Sequence, residues 1–271
     1  MWVLSLEKNI NNLQSLFPVE FETASEDFVP CWRAAGVHLS EMNDLGRKRF
    51  IRASLTPIVL EHLSFVLGNQ IFFIHVCDAN EEVQPPSSVK SCIYAAELGN
   101  GVPCILEMQK DDNGDWMPVN EGWGLKHAET NELINPQDYM TNQDVEITDW
   151  EVADIANLRV VKEIEESGGT ILSTNSDPNV HPSIFFVDEE GKPNFVVVAV
   201  ARYPNEPELE NGLIEKIKEG ASGSATSGYI SEVTLVSAHD LFDTDAKENG
   251  NYLSLLRGAG YHLKFSGLLK I

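Results

Sequence analysis

The stretch 181–204, HPSIFFVDEEGKPNFVVVAVARYP, constrains this chain most. It predicts two apolar strands, residues 183–187 and 194–202, joined by a turn at Asp188-Glu189-Glu190-Gly191-Lys192. The second strand is a nearly unbroken run of Phe, Val and Ala. A strand with no polar alternation has no face for water, so it belongs in the middle of a sheet with both faces covered. The helical segments on either side of it in sequence supply that cover.

Length and charge narrow the classes. A chain of 271 residues holds one large domain or two ordinary ones. The formal net charge of −23 argues against non-specific nucleic-acid binding, which depends on Lys and Arg displacing counterions. It is consistent with solubility. No run approaches the roughly 20 apolar residues that span a bilayer. The start, MWVLSLEKNINNLQSLF, lacks a basic region ahead of its apolar residues and a small-residue cleavage site, so a cytoplasmic location is expected. Cys31, Cys77, Cys92 and Cys104 show no CxxC spacing, and three sit in apolar contexts, which predicts buried free thiols.

In the first half, Leu6, Ile10, Leu13 and Leu16 carry a helical spacing. Arg47, Lys48, Arg49 and Arg52 form the densest positive charge in the chain. That cluster is either a contact for an acidic partner or phosphate, or the solvated face of a helix. Thr56-Pro57 followed by IVLEHLSFVL predicts a helix start, ended by Gly68. Residues 71–76 read as a buried strand, 89–98 as a helix opened by Ser88 and closed by Gly99, and 102–108 as a further strand. Strand, helix, strand at this spacing predicts a βαβ crossover with a parallel pair. Asp111-Asp112-Asn113-Gly114-Asp115 begins like a calcium loop, but Trp116 stands where glycine is required and Gly122 where the last Glu belongs. It reads as a hairpin turn. Trp123, between two glycines, reads as an anchor packing a loop onto the body.

In the second half, Thr148 and Glu151 form a capping box opening a long helix, with Val152, Ile155, Leu158, Val161 and Ile164 as its inward face. Strand 170–174, the central hairpin, a helix over 213–218, the small-residue stretch 220–228, strand 229–237 and a last strand, 261–265, follow. His62 and His75 lie in apolar segments and read as satisfied core histidines, and His181 beside Asp177 as a loop-fixing pair. GxSxG, HExxH and Walker-type motifs are absent.

From Thr148 on, the order helix, three strands, helix, strand resembles the core of the PD-(D/E)XK (restriction-endonuclease-like) superfamily. The text Pro182 to Asp188, then Gly191 and the 195–202 strand, looks like that superfamily's metal-site hairpin. The chain as a whole also resembles an uncharacterised bacterial family. In active nucleases of the superfamily an Asp follows the Pro, and the next strand carries an acid two residues before a Lys. Here Ser183 follows the Pro, and Val198, Ala199, Val200 and Ala201 occupy the next strand. Valine offers a hard cation no oxygen and activates no water.

The expected architecture is α/β, with an N-terminal βαβ-containing domain over 1–145 and a restriction-endonuclease-like α-β-β-β-α-β domain over 146–271. The expected function is a non-catalytic cytoplasmic interaction or scaffold protein on a degenerate nuclease-like fold, with a protein partner, no membrane, and no catalytic, cofactor or metal residue. Arg47, Lys48, Arg49 and Arg52 are its interaction candidates. One alternative is a metal-dependent phosphodiesterase with displaced carboxylates, for which Glu151, Asp188 and Glu189 are the remnants. The other is an acidic inhibitor that mimics nucleic acid.

Overall fold

A computed structural model of the protein describes residues 24–42, 48–55, 61–221, 227–240, 242, 245, 248–250 and 252–271. The fold is mixed α/β, and its described residues divide into two compact units, one within Glu22–Val145 and one within Glu146–Ile271. The expected helix over 5–16 lies outside the described residues.

In the first unit the elements are α1 (Phe28–Glu41), β1 (Lys48–Arg52), β2 (Leu63–Leu67), β3 (Gln70–Asp78), α2 (Val89–Leu98), β4 (Val102–Lys110), β5 (Trp116–Pro118) and β6 (Leu125–His127). The sheet runs β1-β2-β3-β4-β5, with β6 also beside β4. β3 and β4 are parallel and joined through α2, the crossover their spacing predicts. The Ser88 side chain accepts from the Ser91 N–H and caps α2. Phe65, Phe72, Ile74 and Val76 pack with Phe28, Cys31, Ala35 and Leu39 of α1 to form the core. Trp123 stacks on Phe65 at 5.7 Å, which anchors its glycine-flanked loop.

Two expectations fail here. Of the helix expected over 56–67, residues 56–60 lie outside the described ones and Leu63–Leu67 is strand β2, all five residues buried. A short apolar run buried on both faces carries no period, so helix and strand cannot be told apart by pattern. Gly68 ends β2 differently from a helix cap: with φ of 62° it starts a two-residue hairpin loop that brings Gln70 opposite Leu67. The basic cluster, read as either a partner contact or the solvated face of a helix, lies on strand β1 from Lys48 on, so the helix in the second reading fails.

The second unit contains α3 (Asp149–Glu166), β7 (Thr170–Thr174), β8 (Ile184–Val187), β9 (Pro193–Arg202), α4 (Leu213–Ala221), β10 (Ser227–Ser237), β11 (Tyr261–Phe265) and β12 (Leu269–Lys270). The sheet runs β11-β10-β9-β8-β7, with β12 beside β10. β9 and β10 are parallel across α4, and the other neighbours are antiparallel. The apolar run is therefore central, as its composition requires. Val196 and Val198 pack with Val152, Ala156 and Val160 of α3. Phe195 and Val197 pack with Ile217 of α4.

The inward face of α3 is not the expected one. Val152, Ala156, Val160 and Ile164 are buried, whereas Leu158 is 51% exposed. At 3.6 residues per turn, steps of three drift by about 60° each, while steps of four drift by about 40° the other way. Five apolar residues at steps of three cannot share one face, so the helix uses the row at steps of four.

Both predicted turns share one construction. Asp111 Oδ1 accepts from the N–H groups of Asn113 (2.8 Å) and Asp115 (2.9 Å). Asp188 Oδ1 accepts from those of Glu190 (3.1 Å) and Lys192 (2.8 Å). Gly114 and Gly191 hold φ of 87° and 80° at equivalent places. Each is a three-residue hairpin loop closed by a left-handed glycine. Residues 222–226 of the small-residue stretch lie outside the described ones.

Candidate functional site

β8 accompanies only the first part of β9, its register ending with Ile184 opposite Val196. β10 stays beside β9 as far as Arg202. From Val198 to Arg202, one edge of the central strand faces no strand among the described residues. A cleft of about 300 Å³ follows that edge, lined by Val198, Ala199, Val200, Ala201 and Arg202, with Asp149, Val152, Pro178, His181, Glu208 and Leu209 around it. Successive strand residues point to opposite faces, so a cleft touching all five meets the strand on its backbone edge. Ser183 N–H donates to Val196 O on the β8 side, and Tyr203 N–H to Leu235 O on the β10 side. By alternation, the backbone groups of Val198, Val200 and Arg202 face the open edge.

The walls of the cleft are held from below. Asp154 and Asn157, both buried on α3, bind the 175–176 segment: Ser176 Oγ donates to Asp154 Oδ1 at 2.7 Å, and Asn157 Nδ2 to Asn175 O at 2.8 Å. Asn175 and Asp177 then accept from N–H groups two residues on, giving consecutive Asx turns that lead to Pro178. The sequence pairs His181 with Asp177 as a loop-fixing contact, yet His181 Nδ1 is buried with no hydrogen-bond partner. Burial lowers the pKa of this imidazole, against the opposing pull of Glu210 and Asp177. Arg202 donates to Asp149 Oδ1 and, at 2.8 Å, to Ile147 O.

The acids of the phosphodiesterase alternative are not brought together. Glu151 is buried at the N-terminus of α3, where it closes the capping box and receives Arg257 through Nε (3.0 Å) and Nη2 (2.7 Å). Asp188 is spent on its turn. Burial raises its pKa, but hydrogen bonds from Lys192, Asn194 and Glu190 outweigh this and lower it overall. Glu189 lies beside Gly168, just beyond the C-terminus of α3. The stretch of α3 from Glu151 to Glu166 separates it from Glu151 by roughly 23 Å at about 1.5 Å per residue. No single ion touches both ends. Among the described residues, no three His, Cys, Asp or Glu side chains converge to hold a metal.

The basic cluster is split. Arg47 lies outside the described residues. Lys48 Nζ donates to the carbonyls of Leu39 (2.5 Å) and Met42 (3.0 Å) at the end of α1 and lies 5.3 Å from the centre of the Trp123 ring. A cation there satisfies the orphaned carbonyls of a helix C-terminus. A register shift between Phe50 and Arg52 re-aims β1, and Arg52 Nε lies 3.0 Å from Glu61 Oε1, which is buried. Arg49 is exposed.

His62 and His75 pair across β2 and β3 with ring centres 4.7 Å apart. His62 Nδ1 accepts from Val76 N–H at 2.9 Å, which fixes its proton on Nε2, 2.8 Å from Ser87 Oγ. Burial lowers the pKa of His62 to about 3, with His75 adding to the effect, and that of His75 to about 4. Both rings are buried, but only His62 is satisfied as expected of a core histidine: His75 Nδ1 is buried with no hydrogen-bond partner. The cysteines are free as well, and burial pushes Cys31 and Cys92 up to about 12 and Cys77 up to about 11. A broader cleft of about 720 Å³ in the first unit is lined by Asp27, Glu82, Asp115 and Lys110, whose ammonium lies 5.0 Å from the centre of the Trp116 ring. No helix among the described residues is long and apolar enough to cross a membrane.

A family model described as a domain of unknown function (DUF8840) matches residues 150–271, from the first turn of α3 onward. No curated protein and no solved structure matches the chain.

Proposed function

We propose that this chain is a non-catalytic cytoplasmic interaction protein, whose second unit is a nuclease-like core without the acids and lysine of a nuclease. One observation carries the reading. The cleft lies against the part of β9 where active nucleases place an acid and a Lys, and that part is Val198-Ala199-Val200-Ala201. Of the two acids that line the cleft, Asp149 is held by Arg202 and Glu208 is exposed on the rim, while Glu151, outside the lining, is held by Arg257. A carboxylate neutralised by a guanidinium has little left with which to bind a cation. The cleft retains shape, a backbone edge and a rim of polar groups, which suit recognition.

The test is incubation of the purified full chain with supercoiled DNA and with single-stranded RNA in Mg²⁺ or Mn²⁺. No cleavage above a buffer control is expected. Cleavage that disappears with Asp188→Ala or Glu151→Gln in folded protein would overturn the reading.

A further inference from the structure

We propose that the open edge of β9 is a strand-addition site for an extended, basic segment of a partner protein, an inference that rests on the non-catalytic reading above. An unpaired strand edge carries a row of N–H and C=O groups that bind another chain, and natural proteins cover or charge such edges unless they use them. Among the described residues, the edge here is neither covered by a strand nor guarded by a lysine. Val198 is buried and the Arg202 carbonyl already accepts from Asn205 N–H, so the N–H and C=O of the partly exposed Val200 and the N–H of Arg202 are left, enough for two or three ladder bonds on the cleft side.

The surroundings specify the occupant. The cleft wall is held by the buried Asp154 and Asn157, so the site exists before a ligand arrives. His181 Nδ1, buried and without a partner, gives an incoming polar group something to pair with. Pro178 and Leu209, both in the lining, offer apolar contact to an alternate side chain. The rim is acidic: Glu206, Glu208 and Glu210 are exposed on the segment after β9, and Glu210 and Asp177 both act on His181. The lining cation, Arg202, is already bound to Asp149. Lysine or arginine beside an apolar residue fits this rim, and the net charge of −23 steers such a segment inward.

The probe is a fluorescein-labelled peptide of alternating lysine and valine, blocked at both ends, titrated against the full chain by anisotropy. Three further ligands accompany it: the same peptide N-methylated at alternate residues, a peptide of alternating glutamate and valine, and single-stranded oligo-dT. Saturable binding of the lysine peptide is expected, with neither the methylated nor the glutamate peptide bound. Amide resonances of residues 198–202 should shift. Val200→Pro removes an N–H that faces the cleft, and Glu208→Lys with Glu210→Lys reverses the rim on an exposed loop. Each should weaken binding at least tenfold. If Val200→Pro fails to fold by circular dichroism, the rim variant decides.

Equal binding of the methylated peptide would overturn the proposal. So would resonance shifts confined to other residues, oligo-dT binding in place of the peptide, or no saturable binding of the lysine peptide. Metal-dependent DNA cleavage by the same preparation would remove the non-catalytic reading and leave the peptide result to stand alone. Loss of peptide binding without cleavage removes the strand-addition site alone.

Discussion

Replacing Arg257 by methionine leaves Glu151 charged, buried and without its cation. Both side chains are under 10% exposed. Breaking such a pair from one side costs about 3–5 kcal/mol, because the remaining charge has lost its solvation and gained nothing. Arg257→Met with Glu151→Leu should be more stable than Arg257→Met alone, even though the leucine also loses the capping box. Urea unfolding of the three proteins measures this, and a double variant less stable than the single one would count against the pairing. The buried histidines make a pH prediction of determinate sign. Their folded pKa values, about 3 and about 4, lie below the unfolded value of 6.5. The unfolded chain therefore binds more protons, and stability falls as pH drops below 6.5 until the folded values are reached. Near pH 5 the two contribute a slope approaching about 2.7 kcal/mol per pH unit, less toward pH 6 and pH 4. His75→Leu should lower the slope of stability against pH, measured by urea unfolding, by about 1.4 kcal/mol per pH unit near pH 5 relative to the parent chain. Burial of His62, His75, Cys92 and Cys104 was legible in the sequence because these residues sit inside apolar runs, whereas Cys77, in a similar run, is half-buried and Cys31, outside one, is buried. Arg257 was not legible: it lies in an aperiodic segment, and only the fold brings it to a residue 106 positions away.

At the scale of elements, the close approach of α2 to β3 rests on two glycines. A Cβ at Gly101 would lie 2.6 Å from the Phe73 ring and 2.8 Å from the Ile71 carbonyl oxygen. Gly101→Ala should cost about 1–3 kcal/mol as an overpacked site. Phe73→Leu in the same chain should recover part of that loss, since a shorter side chain vacates the space beside residue 101. Independent, additive losses would show that the ring is not the obstacle. The crossover itself was readable because Ser88, Gly99 and two apolar runs mark its boundaries. Both hairpin turns were readable from an Asp followed three residues later by Gly. Where pattern failed, the physics is visible. Leu63–Leu67 is buried on both faces, so it has no alternation to betray a strand. The stripe on α3 was counted at steps of three, and the drift of a 3.6-residue helix carries Leu158 out to water. The half-open edge of β9 was illegible for another reason. It depends on where β8 stops, and the sequence SIFFV does not record that its pairing begins only at Ile184.

At the scale of the whole molecule, each unit holds its own buried apolar cluster. Phe28, Phe65 and Phe72 belong to the first, and Val152, Val196 and Val233 to the second. A unit with its own core has the means to unfold as a separate cooperative step. Tryptophan reports on this, since Trp32, Trp116 and Trp123 belong to the first unit and the buried Trp150 to the second. Arg257→Met weakens only the second unit. At a urea dependence of about 2 kcal/mol per molar, a loss of about 4 kcal/mol lowers that unit's midpoint by about 2 M. With Trp150→Phe as the subtraction control, the Trp150 signal should move to lower urea while the signal of the first unit keeps its midpoint. A single transition that shifts as one for every tryptophan would mean that the two cores unfold together. The chain would then have to be treated as one cooperative body, and a ligand at the edge of β9 would stabilise the first unit as much as the second.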